Sequence, residues 1–146
     1  MSYWDTSALV KLYVLEPDSA AFESHAGNDA GPLLICRVGL YEARATFQRK
    51  ESEGILKSGA AETLYARLLQ DVAAGEVRLT ELDMNLEREY GAVINQCYQQ
   101  TPPLPIRTLD ALHLAAARQA GVTELVATDK RMRDAARLLG FALFPA

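Results

Sequence analysis

Four acidic side chains fall at or near points where a strand should give way to a helix. They are Asp5 in Trp4-Asp5-Thr6-Ser7, Glu42 in Tyr41-Glu42-Ala43-Arg44, Asp110 in Thr108-Leu109-Asp110-Ala111 and Asp129 in Thr128-Asp129-Lys130. Taken singly, each has an ordinary role. Asp5 and Asp129 can cap helices, Asp110 suits the positive end of a helix dipole, and Glu42 can be a solvated surface charge. Two features weigh against that reading when the four are taken together. Thr6, Ser7, Thr108 and Thr128 already offer capping oxygens beside three of the acids, and Asp110 and Glu42 lie among small or apolar neighbours. If the four converge, their mutual repulsion calls for a cation. A hard divalent ion with oxygen ligands, Mg²⁺ or Mn²⁺, suits such a set, and it would activate water and stabilise the oxygens of a phosphodiester cleavage. His113, one turn after Asp110, reads as a histidine packed on its helix rather than as a base.

Convergence depends on the elements that carry the acids. Tyr3-Trp4 predicts a short strand and Ala8 to Leu15 a helix stopped at Glu16-Pro17, with Asp18 as cap of the next helix. The turn cluster at 25–32 precedes Leu33-Leu34-Ile35-Cys36, a buried strand, and a helix over 38–53. Apolar stripes predict helices within 57–75 and over 84–99, the second capped by Asp83, with an edge strand at 77–82 between them. After the break at 99–105 come a helix from Thr108, a strand at 124–128, a helix from Asp129 and a terminal strand at 141–144. This alternation predicts an α/β fold with a parallel sheet, in one domain spanning 1–146. Ligands of such sheets bind beyond the carboxyl ends of the strands, where these acids fall.

Composition narrows the partners. With 19 Asp+Glu against 15 Lys+Arg, the chain has the wrong sign to hold nucleic acid by bulk attraction. Setting four carboxylates aside as metal ligands leaves 15 acids against 15 bases. No apolar run is long enough for a membrane span, and Cys36 and Cys97 read as free thiols of a cytoplasmic protein.

The segments "YWDTSALVKLY", "YEARATF", "TLDALHLAAA" and "VATDKRM", in this order along nearly the whole chain, resemble the PIN domain of VapC-type toxins. The resemblance implies a three-layer fold, a mostly parallel twisted sheet flanked by helices. It also implies a metal-dependent endoribonuclease, the toxin of a type II toxin–antitoxin pair. Carried over by position, Asp5, Glu42, Asp110 and Asp129 are its acidic site. Asp5, Asp110 and Asp129 would bind Mg²⁺ or Mn²⁺, and Thr6, Ser7 and Thr128 are the supporting hydroxyls. A homodimer, an RNA substrate and a small antitoxin that links the pair to operator DNA are further implications. Arg37 departs from the Ser or Thr common before the second helix, which puts the placement of Glu42 in question. Lys11, Lys130 and Arg131 are candidate phosphate contacts, with Arg49, Lys50 and Arg133 behind them.

Two other classes share part of this pattern. A dehalogenase-type phosphatase needs a second Asp two residues after the first, where this chain has Ser7. A phospho-acceptor signalling domain would pair acids after an early strand and place a lysine late. Lys130 is present, but the early pair is not. A non-catalytic interaction domain is the third alternative.

Overall fold

The computed structural model describes residues 1–146. Its strands are β1 (Tyr3–Trp4), β2 (Leu33–Cys36), β3 (Val77–Thr80), β4 (Glu124–Val126) and β5 (Ala142–Phe144). Its helices are α1 (Thr6–Val10), α2 (Ser19–Asn28), α3 (Arg37–Ser52), α4 (Ala60–Ala74), α5 (Met84–Tyr98), α6 (Thr108–Gln119) and α7 (Lys130–Leu138).

The five strands form one sheet in the order β3-β2-β1-β4-β5, and every adjacent pair is parallel. Tyr3 lies opposite Leu34 on one side and Leu125 on the other. From the central β1 the chain winds outward to β3, then returns to the far side for β4 and β5. The direction of winding therefore reverses beside β1, which opens a crevice at the carboxyl ends of β1, β2 and β4. The edge position expected for residues 77–82 is occupied by β3.

Alternation along each short strand feeds two cores. Tyr3, Leu34, Cys36 and Leu125 point to one face, where α5, α6 and α7 pack. Trp4, Leu33, Ile35 and Val126 point to the other, beneath α1, α2, α3 and α4. Both faces are covered, so the strands read as continuous apolar runs rather than as alternating ones. In α6, Ala115, Ala116 and Ala117 are fully buried, and these small side chains let the helix lie close to its neighbours. Cys36 and Cys97 are buried free thiols. No helix is long and apolar enough to cross a membrane.

The first helix differs most from the sequence reading. It begins at Thr6, not Ala8, because Asp5 caps it. It ends at Val10, where Lys11, Leu12 and Tyr13 tighten the chain through bonds to carbonyls three residues back. Asp18 holds the cap position of α2, yet its side chain makes no capping bond and pairs with Lys11 instead. Arg37 does not disturb its helix: α3 starts there, and the Arg37 guanidinium is held outside by two 2.7 Å bonds to Glu81.

Candidate active site

Asp5 reaches the crevice because β1 is only two residues long. Its backbone N–H donates to the Val126 carbonyl at 2.9 Å, which ties it to the end of β4. Its carboxylate then caps α1: Oδ1 accepts from the Thr6 N–H and Oδ2 from the Ser7 hydroxyl, both at 2.7 Å. The capping expected of the Thr6 and Ser7 hydroxyls thus falls to the carboxylate itself. Thr6 donates its hydroxyl to Glu42 Oε1 at 2.8 Å, and Ser7 bonds Thr128 across to the β4 side at 2.9 Å. The two hydroxyls link different walls of one site. Only 8 % of Asp5 is exposed, and burial raises its carboxyl pKa in spite of those donors and of nearby His113.

Glu42 lies in the second turn of α3 and is half-buried. His113, 1 % exposed, places Nε2 at 2.5 Å from Glu42 Oε1 and Nδ1 at 2.7 Å from the Tyr3 hydroxyl. The Tyr3 oxygen in turn accepts the Cys36 N–H at 2.9 Å. Burial alone would raise the Glu42 pKa, but the His113 bond and charge and the Thr6 hydroxyl outweigh it and hold the group low. Burial disfavours a charged His113 ring, yet Glu42, Asp5 and Asp110 around it raise its pKa. His113 is therefore not simply packed on its helix; it is wired to the site. Tyr3 and the His113 link were missed because residues 110 positions apart give no local signal. The one usable clue was that His113 shares a helix face with Asp110.

Asp110 and Asp129 make up the other half. Asp110 is in the first turn of α6 and receives no hydrogen bond that lowers its pKa. Burial raises it, and the charges of Asp5 and Asp129 raise it further. Asp129 is exposed and caps α7, its Oδ2 accepting from the Met132 N–H at 3.0 Å. Thr128 is again not the cap.

All four acids line one open cavity of about 520 Å³, together with Thr6, Ser7, Thr128, Lys11, Glu16, Thr46, Arg49, Lys50 and Arg107. Lys130 and Arg131 lie outside that lining. Lys130 pairs with Asp134, and Arg133 donates to the Ala127 and Pro145 carbonyls. Arg107, exposed at the start of α6, was not picked out from the sequence. No three acid, histidine or cysteine side chains are drawn together into a ready-made ion cage. The donor set nevertheless fits a hard cation that keeps several waters: the oxygens are anionic, and Asp110 receives no hydrogen bond while two like charges outweigh His113 and Arg107 beside it.

A protein-family model described as "PIN domain" matches residues 2–138. The chain belongs to the PIN-domain family. Among curated relatives, Ribonuclease VapC46 of Mycobacterium tuberculosis is 35% identical over 143 residues, covering 97% of this chain and 94% of that one. Ribonuclease VapC47 of the same species is 32% identical, covering 97% and 93%. Solved structures with the same fold include M. tuberculosis VapC20, a sarcin–ricin loop cleaving toxin, at a TM-score of 0.66, 17% identity and 97% coverage of each chain. FitAcB from Neisseria gonorrhoeae aligns at 0.67 with 18% identity, covering 99% of this chain and 96% of its own. VapBC2 from Rickettsia felis, bound to a promoter DNA fragment, aligns at 0.65 with 20% identity, covering 98% and 97%. In this PIN domain, as in the sequence reading, the acids come from α3, α6 and the ends of β1 and β4.

Proposed function

We propose that this PIN domain, one domain over 1–146, is a cytoplasmic endoribonuclease dependent on Mg²⁺ or Mn²⁺ and acts as the toxin of a toxin–antitoxin pair. The observation that carries the reading is the meeting of Asp5, Glu42, Asp110 and Asp129 in one cavity at the carboxyl edge of the sheet. Asp5, Asp110 and Asp129 would hold the cation, which when bound supplies an activated water and charge stabilisation at the phosphodiester. Asp5 is kept rigid by its cap bonds, and Glu42 is aimed by Thr6 and His113, so neither has to be ordered when substrate arrives. Asp110 contributes the least satisfied negative charge. The names of the relatives at 31–35% identity, all ribonucleases, support the same activity.

Regulation follows from charge. A small antitoxin would present a basic side chain to the acids, arginine being the better fit because its fork pairs with carboxylates in two places. Its apolar helix would lie in the groove lined by Tyr13, Leu15, Ile55, Leu56 and Leu64, whose Leu15 directly precedes Glu16 of the acid cavity in the chain. Leu15 is 89 % and Ile55 59 % exposed there. Operator DNA would be reached only through that partner. Met84, Leu82 and Tyr98, exposed on and beside α5, are the apolar surface for a homodimer.

The test is cleavage of single-stranded RNA with Mg²⁺, with Mn²⁺ and with excess EDTA. Cleavage with either metal and none with chelator is expected. Undiminished cleavage in chelator, or none under any condition, contradicts the reading.

A further inference from the structure

Glu16 lies in the same cavity as the acid quartet but makes different contacts. Each of its carboxylate oxygens holds one ammonium: Oε2 is 2.9 Å from Lys11 Nζ, and Oε1 is 3.3 Å from Lys50 Nζ. Both lysines are sheltered, with side-chain exposures of 13% and 15%. Lys11 is steadied further by Asp18 at 2.8 Å. The Glu16 N–H donates to Ser19 Oγ at 2.9 Å, and Pro17 follows, so the backbone beneath the carboxylate is fixed.

The placement of the pair points to a ligand. On α3, Glu42, Thr46, Arg49 and Lys50 follow one face, and all four line the cavity. Lys50 therefore lies roughly 12 Å along the helix from Glu42. On the facing wall Lys11 comes one turn after Ser7. Apart from Glu16 between the lysines and Arg107 at the start of α6, the cavity runs from carboxylates near the strand ends to ammonium groups just past α1 and farther along α3.

We propose that Lys11 and Lys50 form a subsite for an RNA phosphate flanking the one at the acids, with the Glu16 carboxylate standing in that phosphate's place until RNA displaces it. The proposal rests on the ribonuclease reading for its substrate. A phosphate offers the same bridging oxygens as the carboxylate, so the exchange swaps one anion for another between ammonium groups already ordered. Glu16 thereby keeps two half-buried cations satisfied in the free protein and competes with RNA in the bound one.

The experiment is equilibrium binding of a fluorescein-labelled, mixed-sequence single-stranded RNA in EDTA, so that no cleavage intrudes. Four proteins are compared: wild type, Glu16→Gln, Lys11→Gln/Lys50→Gln and the triple variant. Glutamine preserves most of each lysine's aliphatic packing. Glu16→Gln should tighten binding roughly three- to tenfold. The double variant should weaken it and make the salt dependence shallower by roughly 0.7 in log–log slope for one bridged phosphate. In the double-variant background Glu16→Gln should have no effect. If the double variant does not fold, the single variant Lys50→Gln gives the same comparison, with most of the Glu16→Gln effect lost. Equal tightening in both backgrounds would mean Glu16 acts only through its long-range field, and would overturn the subsite. So would no tightening in wild type, or no RNA binding by wild type and Glu16→Gln alike. RNA binding with the expected pattern but no cleavage when metal is restored would sink the ribonuclease reading and leave the subsite standing.

Discussion

The two halves of the acid cavity are built on opposite principles. Around Asp5 and Glu42 the protein donates to its own carboxylates: a backbone N–H and a hydroxyl to Asp5, a hydroxyl and the His113 ring to Glu42. Around Asp110 it withholds hydrogen-bond donors and sets the charges of Asp5 and Asp129 against the weaker ones of His113 and Arg107. The contrast separates two tasks that a list of four acids leaves merged. The first half fixes direction, because hydrogen-bonded carboxylates have few orientations left. The second half stores unsatisfied negative charge, which a cation relieves on binding. Asp129 lies between these cases, with one oxygen capping α7 and the residue itself exposed.

If the contrast is right, substitutions in the two halves fail differently. The largest effect on activity belongs to Asp110→Asn, which keeps shape and removes charge; RNA cleavage should fall by at least about 100-fold, more than the loss typical of groups that only support a metal ligand. The metal-free protein should remain folded and as stable as wild type or more so, and unfolding by urea checks this. Next is His113→Gln, which removes the aim of Glu42 while leaving every acid in place. Cleavage should drop by about 10- to 100-fold. Tyr3→Phe should share part of that loss. It should also cost about 1–3 kcal/mol, because the buried Cys36 N–H loses its acceptor.

Asp5→Ala should lose activity and, unlike Asp110→Asn, about 0.5–2 kcal/mol of stability, since α1 loses its cap. Asp5→Asn, which keeps a capping oxygen, should lose activity without that cost. The smallest effect is on pH dependence without metal. The Asp110 carboxyl pKa is raised in the folded chain, so between the unfolded and folded values the native state binds more protons. Stability contributed by this group is therefore lost as pH rises through the carboxylate range. Glu42, held low, works in the opposite sense, and its contribution is lost as pH falls. Wild type minus Asp110→Asn stability should decline with rising pH and then level off; a difference that grows with pH would mean that Asp110, like Glu42, is held low.

The sequence carried the fold further than the site's internal wiring. Alternating strand and helix signals located all five strands and placed the four acids at one sheet edge, because βα order and strand-end position are local properties. The misreadings at α1 came from competition among neighbouring oxygens. In Asp5-Thr6-Ser7 any of the three can cap; Glu42, distant in sequence, takes the Thr6 hydroxyl, and Ser7 donates its own to Asp5 while bonding Thr128. The same holds for Asp18, drawn away from its helix by Lys11. Lys130 and Arg131 follow the last acid in sequence but leave the cavity as α7 turns, whereas Arg107, just ahead of the Thr108–Asp110 segment, lines it.

The acid cavity is expected to bind a divalent ion through the carboxylates the protein leaves unsatisfied. Calorimetric titration of Mn²⁺ into wild type, Asp110→Asn and His113→Gln tests it most directly. Saturable binding by wild type is expected, with a loss of at least about tenfold in affinity for Asp110→Asn and a smaller loss for His113→Gln. Equal Mn²⁺ affinity in wild type and Asp110→Asn would contradict it.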